Sequence, residues 1–248
     1  MKQIIYIILP LLLLCSCSSK NKVPQKTICV SALVDLTDHR QLYPNWSGIL
    51  PLFNLSIDEN SEAQFRLCTI TDRELNPDIE INLPGGIESE KDNSEDDPDY
   101  RKKLITQFFG SIRKAINDFN FKNEHDSSLG FSECFKTISG QLQYLTQKKQ
   151  DKAVLLIFSD LKENSAIFNC YTEAGRKHLI TDSENVIRLF EKTKLLPDNL
   201  NNISVFFIYN PISREDDIEF MAMVKVYKKL LQARGAKVKV QADNINLN

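Results

Sequence analysis

Two short segments carry residue types that together could bind a hard cation. Val30-Ser-Ala-Leu-Val-Asp35-Leu-Thr37-Asp38-His39 and Val154-Leu-Leu-Ile-Phe-Ser159-Asp160 both run apolar, then break abruptly into carboxylates and hydroxyls. Oxygen donors of this kind suit magnesium or calcium. Asp35 and Asp160, if buried side by side, would repel each other unless a metal or a proton lay between them.

Other chemistries find less support. Gly130-Phe-Ser132-Glu-Cys134 misses the glycine spacing of a nucleophile elbow and follows no predicted strand. His39, His125 and His178 have no pairwise ligand spacing and read as surface or capping residues. There is no CxxC pair, no Walker sequence and no dinucleotide glycine fingerprint. The acidic run within residues 84–99 lacks the spacing of an EF-hand loop and reads as a solvated loop. Trp46 reads equally as a contact residue near the sheet edge or as a partly buried core residue.

The two segments need a scaffold that brings their ends together. Short, continuous apolar runs read as strands buried on both faces, the pattern of a parallel sheet. Strands are predicted at residues 27–34, 64–71, 79–83, 153–158, 203–209 and 236–240, the second and third forming an antiparallel hairpin around Asn76-Pro77-Asp78. A helix within 44–57 is expected to kink or start late because of Pro51. Asp97-Pro98 opens a helix whose apolar stripe runs Leu104, Ile105, Phe108, Phe109, Ile112, Ile116 and Phe119. The next helix carries Phe131, Cys134, Phe135, Ile138, Leu142 and Leu145, with Asp126, Ser127 or Ser128 as its cap. After an irregular stretch, Ser183 is expected to cap a helix bearing Val186, Leu189, Phe190 and Leu196. Ser213-Arg-Glu-Asp216 fits a capping box, and Gly235 ends the helix it opens. This alternation predicts an α/β fold: a three-layer Rossmann-like sandwich with a mostly parallel six-stranded sheet and one antiparallel edge hairpin.

The order of elements resembles the von Willebrand factor type A domain, over residues 27–248. That family builds a metal-ion-dependent adhesion site from Asp-x-Ser-x-Ser after the first strand, a Thr from a loop opening a later helix, and an Asp after the fourth strand. Asp35-Leu-Thr37-Asp38-His39 is similar to the first motif, with Thr37 for a serine and His39 where the family has a hydroxyl. Ser127-Ser128-Leu129-Gly130 resembles the helix-opening loop, with Ser128 the nearest match, and Ser159-Asp160 resembles the ending of the fourth strand. The resemblance implies a Mg2+ or other divalent-cation site at Asp35, Thr37, His39, Ser128 and Asp160. Imidazole suits softer metals than magnesium, so His39 implies a partly degenerate site.

The amino-terminal residues read as a targeting segment. Lys2 precedes an apolar run from Ile4 to Leu14, too short for a membrane-spanning helix and suited to a signal peptide over residues 1–16. Leu14-Cys15-Ser16-Cys17 resembles the lipobox of bacterial lipoproteins, and Cys17, preceded by a small residue, is the expected lipidated position, followed by a polar tether through residue 26. Attached acyl chains would hold the protein to a membrane surface. Four cysteines then remain, Cys29, Cys68, Cys134 and Cys170, whose irregular spacing reads as buried free thiols. The formal net charge of -2 gives no support to nucleic-acid binding.

Together these readings predict a non-enzymatic, lipid-anchored protein of the bacterial envelope, at the outer membrane. It would bind a protein partner through the carboxyl edge of its sheet with a metal assisting. The alternatives are a structural lipoprotein of an envelope assembly with a vestigial metal site, or a metal-dependent hydrolase.

Overall fold

The computed structural model describes residues 26–37, 42–56, 61–70, 79–85, 98–123, 132–148 and 150–243. The apolar runs become six strands: β1 (Thr27–Asp35), β2 (Glu62–Ile70), β3 (Ile79–Leu83), β4 (Lys152–Phe158), β5 (Ile203–Ile208) and β6 (Lys237–Gln241). They form a single sheet in the order β3-β2-β1-β4-β5-β6. All neighbours are parallel except the β2–β3 pair at one edge. The fold is a Rossmann-like α/β sandwich, as the sequence pattern predicts. The turn at Asn76-Pro77-Asp78 lies outside the described residues.

Strand alternation splits the core into two layers. Cys29 and Leu33 of β1 face one side, with Leu155 and Ile157 of β4, beneath helices α3 (Cys134–Gln147), α4 (Glu173–Thr181), α5 (Ser183–Lys192) and α6 (Arg214–Gln232). Val30, Ala32 and Val34 face the other, with Val154, Leu156 and Phe158, beneath α1 (Trp46–Ile49), a 3-10 turn (Leu50–Phe53) and α2 (Pro98–Asn123). Phe135 of α3 stacks on Phe190 of α5 with ring centroids 4.1 Å apart, locking two helices of the first layer. In the second layer Phe108 of α2 meets Phe53 edge-on at 5.2 Å. Of the predicted α2 stripe, Ile105, Phe108, Ile112, Ile116 and Phe119 are buried.

Several local expectations are corrected. The segment around Pro51 is a single α-helical turn that tightens into the 3-10 turn, with Pro51 near its start, and ends at Asn54 in the left-handed region, φ 45°. Ser183 is the first residue of α5 and not its cap; the Asp182 side chain accepts from Asn185 N–H, and Leu196 lies beyond the helix. The stretch before it is not wholly irregular but holds α4, capped by Thr172. Helix α3 begins at Cys134, after Glu133, so residues 126–128 do not cap it. Ser213 does cap α6, accepting from Asp216 N–H at 3.1 Å. The Asp216 carboxylate does not complete the box at Ser213; it accepts from Ile212 N–H at 3.1 Å. Gly235 takes φ 94°, the left-handed conformation predicted for it. None of the described helices is long and apolar enough to cross a membrane.

Candidate functional site

Strand order reverses between β1 and β4, since the chain first builds outward to β2 and β3 and then crosses to the other side of β1. In open α/β sheets, ligands bind at the carboxyl ends of the strands that flank such a point. Val34 pairs with Phe158 there, so Asp35 and Ser159-Asp160 leave adjacent strands together. The expectation that these two segments converge is met.

Asp35 is 1% exposed and hydrogen-bonded on both oxygens. Its Oδ1 accepts from Thr37 Oγ1 at 2.6 Å and from Thr37 N–H at 3.0 Å. Its Oδ2 accepts from Ser159 Oγ at 2.7 Å and Ser132 Oγ at 3.1 Å. Burial pushes its pKa up, and the bonds from Thr37, Ser159 and Ser132 work in the opposite direction. Four donors fill the lone-pair capacity of a carboxylate. Cys134 Sγ lies 2.9 Å from Ser132 Oγ, and burial, with Asp35 adding to it, pushes the thiol well above its ordinary pKa. A thiol so held stays protonated and is a poor nucleophile.

The turn after β4 is tightly folded. Ser159 Oγ accepts from Leu161 N–H at 2.8 Å while Asp160 Oδ1 accepts from Lys162 N–H at 2.9 Å. Leu161, fully buried, is held at φ 62°, a conformation a leucine adopts only when its surroundings enforce it. This turn carries Lys162 inward, its side chain 16% exposed, against three carboxylates. Its Nζ lies 2.8 Å from Asp216 Oδ1, 3.2 Å from Glu219 Oε2 and 3.7 Å from Asp160 Oδ2. Desolvation opposes the ammonium charge, but Asp216, Asp160 and Glu219 outweigh it and raise the pKa. Burial likewise pushes Asp216 up, yet Lys162, Tyr209 and Ile212 N–H win and hold it below the ordinary range. Tyr209 Oη donates to Asp216 Oδ2 at 2.7 Å.

Next along the chain, Glu163 is fully buried and caps α3 from another part of the sequence. Its Oε2 accepts from Phe135 N–H at 2.8 Å, and Oε1 has no hydrogen-bond partner among the described residues. Burial pushes its pKa up to about 7, while the Ser165 side chain and Phe135 N–H pull it part of the way back.

Of the residues expected at a metal centre, Asp35, Thr37 and Asp160 lie at this edge; His39 and Ser128 are outside the described residues, as is Cys17. The Lys162 ammonium lies 3.7 Å from Asp160 Oδ2. Among the described residues no group of three or more His, Cys, Asp or Glu side chains could hold a metal ion. With Asp35 saturated and an ammonium beside Asp160, the described donors do not fit a hard divalent cation. His178 is half-buried on α4, its Nε2 2.6 Å from Asn185 Nδ2. All four described cysteines are buried thiols outside any disulfide. Trp46 is half-buried, with Arg113 stacked 4.6 Å over its ring.

Sequence reasoning missed Ser132, Lys162, Glu163 and Asp216. Ser132 and Asp216 stood in motifs weighed for other roles, and Lys162 carried one signal, a cation two residues after the predicted metal aspartate. No family model matches this sequence, and no curated protein matches it.

Proposed function

We propose that this is a lipid-anchored envelope protein that binds another protein through the carboxyl edge of its sheet, at the β1–β4 switch point. The observation that carries the reading is the convergence of Asp35, Thr37, Ser132, Ser159 and Asp160 at that edge. The central strand and its antiparallel β3 edge support the likeness to von Willebrand factor type A domains. In this reading Lys162 supplies the positive charge that the family draws from a metal, and docking is metal-independent. Cys17 bears the lipid. Nine residues separate it from Thr27, which starts β1 at the end opposite the docking edge.

The saturation of Asp35 also favours a second reading, a structural lipoprotein in which this edge is vestigial. A hydrolase has less support, because the Ser132 hydroxyl is committed to Asp35 and the Cys134 thiol is held protonated. The test places a photoreactive residue at Leu36, on the rim of the switch point, or at Phe121, which is 75% exposed on α2. A discrete protein adduct from position 36 alone, in intact cells, is the expected result. Adducts from both positions, or from neither, would remove the docking edge. Loss of fatty-acid labelling in Cys17→Ala tests the anchor.

A further inference from the structure

We propose that the outer edge of β6 and the overhanging face of α6 form a docking groove for an acidic, extended peptide strand of another protein. Among the described residues β6 pairs with β5 and ends the sheet. A strand at such an edge presents a row of N–H and C=O groups that a further strand can pair with. Beside it lies a groove of about 390 Å³ lined by Met221, Val224, Lys225, Lys228 and Val240. Met221, Lys225 and Lys228 follow one another at helical spacing, so one stripe of α6 roofs the position that a seventh strand would take. Met221 is 47% exposed and Val240 39%, although both sit where apolar side chains from an added strand would cover them.

Charge selects the occupant. Lys229 is engaged by Glu184 at 2.6 Å, and the Lys239 ammonium lies 5.4 Å over the Phe206 ring on the opposite face. Lys225, Lys228 and Lys237 make no salt bridge among the described residues. Lysines thus border the groove on the helix side and on the far face of β6, and alternating acidic and apolar residues would satisfy both. A second copy pairing β6 antiparallel to β6 would set lysine against lysine, which is destabilising. The chain's own acidic run, residues 88–97, lies outside the described residues; it is bracketed by Gly85 and Pro98 at the other edge, where Arg101 Nη1 donates to Pro84 O at 2.8 Å. Crossing the sheet and returning needs roughly 48 Å, and the chain from Gly85 to Pro98 spans at most about 47 Å fully extended, which leaves no length to lie along β6. An anionic membrane offers charge but no groups to pair with the strand edge, so a peptide is favoured over lipid.

The test uses the full chain in detergent and a fluorescein-labelled peptide of alternating Glu and Val, followed by anisotropy. Saturable one-to-one binding is expected, weakened about tenfold or more by K225E/K228E, two exposed positions whose exchange leaves the melting temperature unchanged. N-methylation of one alternate set of peptide amides should abolish binding, and methylation of the other set should not, because only one set faces the β6 edge. Equal binding of both methylated peptides means attraction by charge alone and overturns the proposal. So does the absence of binding, a preference for phosphatidylglycerol over phosphatidylcholine vesicles that K225E/K228E removes, or a dimer in sedimentation that the same variant abolishes.

Discussion

Replacing Glu163 by glutamine should stabilise the protein at about pH 8 and leave it unchanged near pH 4.5. The Glu163 carboxyl is raised from 4.5 to about 7, chiefly by burial, with Glu133 and Asp35 contributing repulsion. At about 1.4 kcal/mol per pH unit, this corresponds to a cost of about 3 kcal/mol for carrying the charge in the folded state. Below pH 4.5 folded and unfolded chains both hold the proton and the group contributes nothing. Between 4.5 and about 7 the unfolded chain ionises while the folded one does not, so stability falls as pH rises, reaching a plateau above about 7. Glutamine is isosteric with the protonated acid and its carbonyl can still accept from Phe135 N–H, so the variant keeps the α3 cap without the charge. Each kcal/mol moves the melting temperature by about 2–4 °C in a chain of this size, predicting a rise of about 6 °C or more at alkaline pH. The assay is the melting temperature of both proteins from pH 4 to 9, read as their difference, which cancels the similarly raised Asp35. A difference that is flat with pH would refute the reasoning, as would a variant less stable than wild type at pH 8.

Lys162→Met should destabilise by about 2–3 kcal/mol in urea unfolding, less than the full cost of an unpaired buried charge because the site is partly exposed; a neutral result would mean that the three carboxylates do not need it. Ser132→Ala should cost about 1–2 kcal/mol in the same assay, by removing one of the donors to buried Asp35. Magnesium, manganese or calcium should leave the melting temperature unchanged, and a rise that Asp160→Ala abolishes would restore a metal to the site. Phe135→Ala should cost about 3–5 kcal/mol, since the ring is fully buried and stacked on Phe190.

Strands were legible because their burial is written into short apolar runs: β3 was read at its exact bounds, and β1, β4 and β5 to within a residue or so. Helix α4 was not, because in Glu173–Thr181 only Leu179 is buried and no apolar stripe marks it. The cap of α3 was illegible for a different reason. Its acceptor is Glu163, 28 residues further on, and local capping rules look only at neighbours. The site divides in the same way. Asp35 and Ser159-Asp160 follow from strand ends, whereas the countercharge on Asp160 depends on Lys162, Asp216 and Glu219 meeting through packing of α6. Two buried carboxylates need compensation; the sequence stated that need without saying that a lysine supplies it.

The position of β1 has a consequence for the order in which this molecule is made. It is the first of the described strands in chain order and one of the two middle strands of the finished sheet, yet its two neighbours come from well apart in the chain. Thr27 N–H ends in a bond to Asp151 Oδ2, 124 residues later. Until Phe158 has left the ribosome, the run Val30–Val34 therefore has at most one of its two partners, and its apolar edge is open to chaperones and to other nascent chains. Pairings of such long range close slowly. The Asp35 cluster, which draws one hydroxyl from the start of α3 and another from the end of β4, is accordingly among the last parts of the molecule to assemble, although Asp35 itself is among the first residues of the sheet to be made.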